Sequence, residues 1–484
     1  MPKISRAEGA THYGTTVKKS HDPVLLRGDL IRICDGSIEF FASPGDLVPD
    51  LRIYRGADGL LVGGATAPDE WVFNASDYGL VVDGVTDNTT AINDTIDAAV
   101  TYAIANATYY AEVWLPVRAD PYIIGGALIS GGTTKGNSQI PLPIVAGTAR
   151  KLTLVIKGCV DAAAMPYWTQ SVGQRWGVTL HTTATGTNDS NWGIPSVIGG
   201  PAVTGALAEY GSAHSATFNN LCVVVDGIGI STSTTNPTMG GFNFQGLAQC
   251  AVRRCAVTPY AATSSIAGVT PSNDFSVGLA LPQTNNNDRS VVEDVSIYGQ
   301  YVGLYAGEHS WVNRLACIYC HDGIVFPADQ AGVHSQAMGS ISIEGCVDAI
   351  RCYQDQRAPI NIASVSVESI SGNDVNDPND ALYGTINYNK ISGSIAVTGG
   401  ANVRLVSMNQ ARGSQTPPSV PATTVPLTNP FWRDCDVLIT GGTVSDIAID
   451  GASTGLTSGW FPVPTGATIT LTHTGAPTWA WWVR

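Results

Sequence analysis

Breaking a sugar–sugar bond takes two carboxyl groups, about 5 Å apart in retaining enzymes and about 6.5 to 9.5 Å apart in inverting ones. Acidic residues of this chain recur at a spacing that could meet the condition. Six residues beyond Gly303, Gly323 and Ala349 stand His309, Asp329 and Asp355, with Glu308 one place earlier. If these stretches stack as strands about 4.8 Å apart, carboxylates on adjacent layers meet the first distance and those two layers apart the second. Stacked aspartates repel, which raises one pKa and leaves an acid beside a base. Asp329, Asp355, His309 and Glu308 are therefore the candidate catalytic residues. The competing reading is solvated loop side chains, since Pro327 interrupts the column.

Asp322 and Asp348 form a second set in register, each directly before the aligned Gly or Ala. Asp-Gly is ordinary turn chemistry, so these two are expected to shape turns. Tyr298, Tyr305 and Tyr353 alternate with apolar residues. Together with Arg351 they are the candidate glycan-binding residues, as half-exposed strand tyrosines stack on sugars or stand there without a ligand. The stretch 373–380 (NDVNDPND) offers oxygen ligands but lacks the Gly and terminal Glu of a calcium loop, and a solvated turn is expected. Cys317 and Cys320, followed by Cys346 and Cys352, lack a zinc-like pairing of doublets and read as thiols packed in a core. No metal and no cofactor are expected.

The elements that position these residues repeat. With Gly303, Gly323 and Ala349 aligned, Val295, Leu315 and Ile341 share a column, and Ile297, Cys317 and Ile343 share the next apolar one. Ser296, Ala316 and Ser342 fall between them, followed by Tyr298, Ile318 and Glu344. This is a period-2 strand with one apolar face, repeated. A second short strand follows each time, at Leu304-Tyr305-Ala306, Ile324-Val325-Phe326 and Ile350-Arg351-Cys352. Strand repeats of 20 to 30 residues mark a solenoid.

Composition sets the outer bounds. The 484 residues suffice for two or three domains, and only 13% are charged, which suits short strands and tight turns. A net charge of -14 argues against nucleic acid and anionic membrane surfaces. No apolar run is long enough for membrane insertion. The first eight residues lack the apolar core of a secretory signal, so folding in a cytosol is expected.

Residues 1–70 form a separate piece of short strands, ending in a Gly/Ala/Pro connector. Lys18, Lys19, Arg27 and Arg32 give it a basic cluster suited to docking. Asp87 or Asn88 then signals an N-cap, and Ile92, Ile96, Ala99, Val100 and Ala103 follow helical spacing near 88–105. Such a helix would cover the open end of the first coil. Residues 160–220, with Trp168, Trp176, Trp192 and His181, break the strand pattern and read as a lateral insertion. A Pro-rich linker at 417–421 closes the solenoid region 71–416. Beyond it, 422–484 shows the hairpin spacing of a small β-sandwich with five tryptophans, more apolar than one small core needs. A subunit interface there, and hence a homotrimer, is the expectation.

Asp77-Tyr78-Gly79, Asp83-Gly84-Val85-Thr86-Asp87-Asn88-Thr89 and the Ala91-Ile92 helix together resemble the opening signature of the pectate-lyase-like superfamily. Glu112-Val113-Trp114-Leu115-Pro116 and Tyr122-Ile123-Ile124 resemble the strand pair that follows it. Val82 and Asn88 depart from the usual Gly and Asp, and Val117 to Pro121 lengthen a normally tight turn. The resemblance implies an all-β right-handed parallel β-helix, a scaffold that serves polysaccharide hydrolases, lyases, bacteriophage tailspikes and non-catalytic proteins. The Asn-Thr-Asp, Asp-Asp and Gly-His-Gly motifs of polygalacturonases are absent, so no catalytic residue carries over.

The stretch from Gly441 to Trp479 resembles the C-terminal β-domain of tail proteins of actinobacterium-infecting phages. The two resemblances together imply a virion protein of the tail, assembled in the host cytoplasm. It would bind host-surface glycan and join other tail proteins through residues 1–70; binding with cleavage, a non-catalytic fibre and a free hydrolase or lyase are the readings left open.

Overall fold

The computed structural model describes residues 71–484 apart from 117–119, 130–136, 144, 146–150, 159–177, 187–193, 201–219, 233–236, 260–270, 273–275, 283–289, 308, 327–335, 354–357, 392–394, 401, 408–412 and 432. Before residue 71 it describes four short strands. The chain falls into two units, Met1–Val72 and Phe73–Arg484. In the first, Arg32–Cys34 pairs antiparallel with Ser37–Glu39, and Ile53–Tyr54 with Leu61–Val62. Lys18, Lys19 and Arg27 lie outside the described residues.

The second unit is a parallel β-helix followed by a β-sandwich. Its longer strands run from Tyr110–Leu115 through Leu152–Gly158, Leu221–Asp226, Gln249–Pro259, Val291–Tyr298, Trp311–Ile318, Gln336–Glu344, Ala358–Glu368 and Leu382–Lys390 to Val403–Ser407, each parallel to the next. A second parallel sheet stacks the shorter strands from Ser138–Pro141 to Val397–Gly399. Such coils take the right hand of parallel crossovers. Strands Thr179–Thr182 and Ser196–Gly199 sit within the stretch expected as a lateral insertion, so it carries coil strands of its own.

The columns expected from the repeat pair as drawn: Val295 with Leu315 and Leu315 with Ile341, Ile297 with Cys317 and Cys317 with Ile343. Val365 and Val367 extend both columns by one coil. These side chains are buried, and each contributes roughly 1.5–3 kcal/mol by leaving water. Cys317, Cys320 and Cys346 are buried thiols, and burial pushes the Cys346 thiol well above its ordinary pKa.

Glycine at the aligned position has a steric cause. A Cβ on Gly303 would lie 2.5 Å from the Gly323 carbonyl oxygen and 2.6 Å from Cys317 Sγ. The corner between the two sheets is also set residue by residue. Gly299, Tyr319, Gly345 and Ser369 all adopt left-handed backbone, with φ of 58, 53, 63 and 55°. A second left-handed column, Arg254, Asp294 and Arg314, bends the long strands and carries alternating charge. Arg254 pairs with Asp226, and Arg314 with Asp294 at 2.5 Å.

The capping helix spans Thr89–Ala105 and buries Ile92, Ile96, Ala99, Val100 and Ala103. Of the two N-cap candidates, Asn88 holds the cap position without a side-chain cap bond. Asp87 makes the contacts instead. Its Oδ1 accepts from the Thr89 amide at 3.0 Å and the Gly125 amide at 2.8 Å, tying the helix start to the first coil.

The sandwich is two four-stranded antiparallel sheets around Val437, Ile439, Phe461, Leu471, Trp479 and Trp481. Gly413–Gln415, which precedes the Pro-rich stretch, pairs with Thr478–Val483, so the sandwich begins before that stretch. Where the β-helix ends, Arg404 reaches both oxygens of Asp434 at 2.9 and 2.8 Å.

Candidate functional site

Three successive coils bring Tyr301, His321, Asp322, Asp348, Arg351 and Tyr353 together on the short-strand sheet. Asp322 and Asp348 pair in register at the starts of their strands, so coil stacking alone makes them neighbours. Asp322 is fully buried and Asp348 is 4% exposed. His321 Nδ1 meets Asp322 Oδ1 at 2.9 Å, and Arg351 Nη1 lies 3.4 Å from Asp322 Oδ2 and 3.8 Å from Asp348 Oδ2. Asp348 accepts further bonds from the Asn373 amide at 2.8 Å and Asn376 Nδ2 at 2.7 Å. A buried ion pair holds only when the remaining lone pairs are satisfied in this way.

The aromatic residues cover this polar layer. The Tyr301 and His321 rings stack in parallel, 4.2 Å between centroids and 6° between planes. The Arg351 guanidinium sits 4.5 Å from the centre of the Tyr353 ring, a cation–π arrangement. Tyr353 is 38% exposed, so the stack borders solvent.

The electrostatics follow from the packing. Burial raises the Asp322 pKa above the ordinary carboxyl value, against the pull of Arg351 and His321, and the Asp348 charge raises it further. Burial raises the Tyr353 phenol, with the Asp322 charge adding to it. Burial works to lower the Arg351 pKa, but the facing Asp322 carboxylate holds it raised. The His321–Asp322 contact occupies Nδ1 and leaves Nε2 as the other polar atom of the ring. The cluster thus holds an imidazole, a cation and two phenols.

The residues singled out from the sequence are placed unevenly. Arg351 and Tyr353 are in the cluster. Tyr305 is in the same outward column as Arg351, through Val325, but lies half-buried against Val277, Ala280, Val302 and Val325. Tyr298 is a correction: it is 2% exposed and packed with Ile318, so no sugar can stack on it. It stays on the outer side of its strand, opposite inward Ile297, and is covered there by Ile318, Ala316 and Tyr319. His309 is half-buried with φ 47°, four residues beyond the end of strand Val302–Tyr305, whereas His321 stands at a strand start. Glu308, Asp329 and Asp355 lie outside the described residues.

Asp322 and Asp348, expected as turn residues, are the buried floor of the cluster instead. The acidic stretch after Gly372 is likewise structural: Asp374 binds Lys390 at 2.6 Å and Tyr388 at 2.5 Å, and Asp377 accepts from the Ala381 and Leu382 amides. Among the described residues no group of acidic, His or Cys side chains could hold a metal ion. No helix among them is long and apolar enough to cross a membrane.

Sequence reading missed His321 and Tyr301. Their signal was present, since both lie two residues before an aligned glycine and share a column of the repeat. Nothing in either residue alone says that it faces a buried carboxylate.

The fold and site define a parallel β-helix protein with a C-terminal β-sandwich and an aromatic patch holding a carboxylate-paired arginine across its coils. No protein-family model and no curated protein matches the chain. Among solved structures it is similar to ORF18 of Geobacillus virus E2, with 13% identity, 90% of this chain and 84% of that one covered, and a TM-score of 0.29. It is also similar to the A-module of the mannuronan C-5 epimerase AlgE6 of Azotobacter vinelandii, at 13% identity, 69% and 98% coverage and a TM-score of 0.24. The tailspike protein of Acinetobacter phage vB_ApiP_P1 is similar at 9% identity, 85% and 86% coverage and a TM-score of 0.21. Likeness at this level carries no argument about activity.

Proposed function

We propose that this chain is a tailspike-like virion protein that holds host cell-surface polysaccharide against the Tyr301–His321–Arg351–Tyr353 patch. The observation that carries the reading is Arg351 stacked over half-exposed Tyr353, with a second aromatic stack one coil away. Rigid rings bordered by hydrogen-bonding groups suit pyranose faces, and side chains drawn from successive coils follow an extended chain rather than a compact ligand. The virion role is supported by the resemblance of the opening signature to a superfamily that includes phage tailspikes and by the phage-tail-like C-terminal sequence.

The test is co-sedimentation with host envelope polysaccharide. Tyr353→Ala and Arg351→Ala should each weaken binding by about tenfold or more, the loss of one such stack and its hydrogen bonds. Unchanged binding in both variants refutes the patch.

Cleavage is a second reading, favoured by the His321–Asp322 pair. A buried carboxylate that fixes one imidazole nitrogen leaves the other oriented as a base. Both Asp348 oxygens are engaged by Arg351, Asn373 and Asn376, so a two-carboxylate hydrolysis finds no free second partner here. On a uronic-acid polysaccharide, proton abstraction from C5 by His321 would form the C4–C5 double bond as the C4–O bond breaks, the departing sugar oxygen taking a proton from water; the ultraviolet absorbance of the unsaturated sugar is the readout. Release of saturated reducing ends alone would count against His321 as the base.

A further inference from the structure

We infer that the C-terminal sandwich carries a second carbohydrate site, for a neutral glycan, on the outer face of the sheet that contains Trp460 and Trp482. The two indoles belong to strands Gly459–Val463 and Thr478–Val483, which flank the central strand Cys435–Thr440 on either side. They meet over it, with ring centroids 4.9 Å apart and planes inclined at 58°. Trp460 is 54% exposed.

Neither ring is needed to fold the sandwich. Trp479 and Trp481 fill its core at 5% and 0% exposure, their rings edge to face at 5.4 Å. The second sheet shows what an ordinary outer face looks like here. Its strand Thr468–Gly475 leaves Thr468, Thr470 and Thr472 half-buried between buried Ile469 and Leu471. Threonine meets the strand preference at such positions without exposing an indole. Two tryptophans on a solvent face are thus unexplained by folding and mark a contact surface.

The surroundings select the occupant. Leu438, Pro462 and Ala480 continue the apolar surface across the strands, and Thr440, Thr478 and Ser414 border it with hydroxyls. The charged groups on this face, Asp436 and Arg484, are paired with each other at 2.9 Å, so an ionic ligand gains no unpaired counter-charge. Tilted rings ringed by hydroxyls fit the apolar face and equatorial oxygens of a neutral hexose. A second copy of the chain fits less well. Two partly exposed indoles with their neighbours supply on the order of 300–400 Å², below the roughly 800 Å² per partner of a stable interface.

The experiment is affinity electrophoresis of the full chain in native gels containing dextran, soluble starch, barley β-glucan or galactomannan, with tryptophan fluorescence as a second readout. We expect retardation by at least one of these neutral polysaccharides. Trp460→Ala and Trp482→Ala should each reduce the affinity by about tenfold while circular dichroism and Tm stay unchanged. Loss of retardation in the Trp460 and Trp482 variants, with Tyr301, His321, Arg351 and Tyr353 untouched, separates this site from the one on the β-helix. No retardation in any of the four, or retardation indifferent to Trp460→Ala, overturns the inference. It is equally overturned if Trp460→Ala instead lowers the oligomeric state in light scattering, because the face is then a subunit contact.

Discussion

Asp322 and Asp348 stand in register on adjacent coils and share Arg351 between them, yet only Asp322 takes a histidine as its other partner. Asp348 is held by Asn373 and Asn376 instead. One stacked pair therefore divides into a carboxylate that orients a ring and one that braces the next coil.

The raised Asp322 pKa has a pH signature. A carboxyl whose folded pKa exceeds its unfolded value binds more protons in the native state, so its contribution favours folding at low pH. That contribution is lost as pH rises from the ordinary value of about 4 through the raised one. The Tm of the native chain relative to Asp322→Asn should accordingly fall across this window. A relative Tm that rises with pH would show that Arg351 and His321 outweigh burial.

Arg351→Ala leaves two buried carboxylates without their common cation. Removing one partner of such a group costs about 3–5 kcal/mol, and denaturant midpoints would register it. Arg351→Lys should restore part of the stability but little polysaccharide binding, since an ammonium keeps the charge and loses the planar stack on Tyr353. Equal recovery of both would mean that charge alone matters at this position.

Asp87→Ala should cost about 1–2 kcal/mol, the value of a helix N-terminal bond and a tie to Gly125. Burial works to raise the Asp87 pKa, but bonds from Thr89, Gly125 and Gly126 hold it lowered. The stability it gives is present above the ordinary aspartate value and lost as pH falls through the lowered one. The gap in Tm between native chain and variant should thus narrow below about pH 4. A constant gap would place the effect in packing.

Gly303→Ala tests the stacking geometry. Its Cβ would meet the Gly323 carbonyl oxygen at 2.5 Å, a contact that backbone cannot relieve locally. Overpacking of this kind costs about 1–3 kcal/mol. Leu315→Ala, which empties an inward column position instead, should cost about 2–5 kcal/mol. A Gly303→Ala chain as stable as the native one, by denaturant titration, would mean that the coils can move apart.

Much of this architecture was legible in the sequence because a solenoid writes its contacts at fixed intervals. Val295, Leu315 and Ile341 align on paper and pair in space because each coil sits directly on the last. Tyr298 shows what alternation leaves out. It follows inward Ile297 and is outward as it reads, but Ile318, Ala316 and Tyr319 on the same side pack against it and bury it. The five C-terminal tryptophans divide similarly. Trp479 and Trp481 are core and Trp482 is not, a difference of strand face that hydrophobicity alone does not display.

By itself the sequence determined a strand solenoid, a helix near 88–105 ahead of it, the hairpin spacing after it and the register of the central coils, since apolar periodicity leaves few other ways to bury those columns, while the resemblance of the opening signature implied the parallel β-helix. Tertiary structure alone decided the site. Tyr301, His321 and Arg351 lie 20 and then 30 residues apart, and only coil stacking brings a phenol, an imidazole and a guanidinium onto two buried carboxylates. Their meaning comes from the depth of Asp322 and the direction of each side chain, which are properties of neighbours across the stack and not of spacing along the chain.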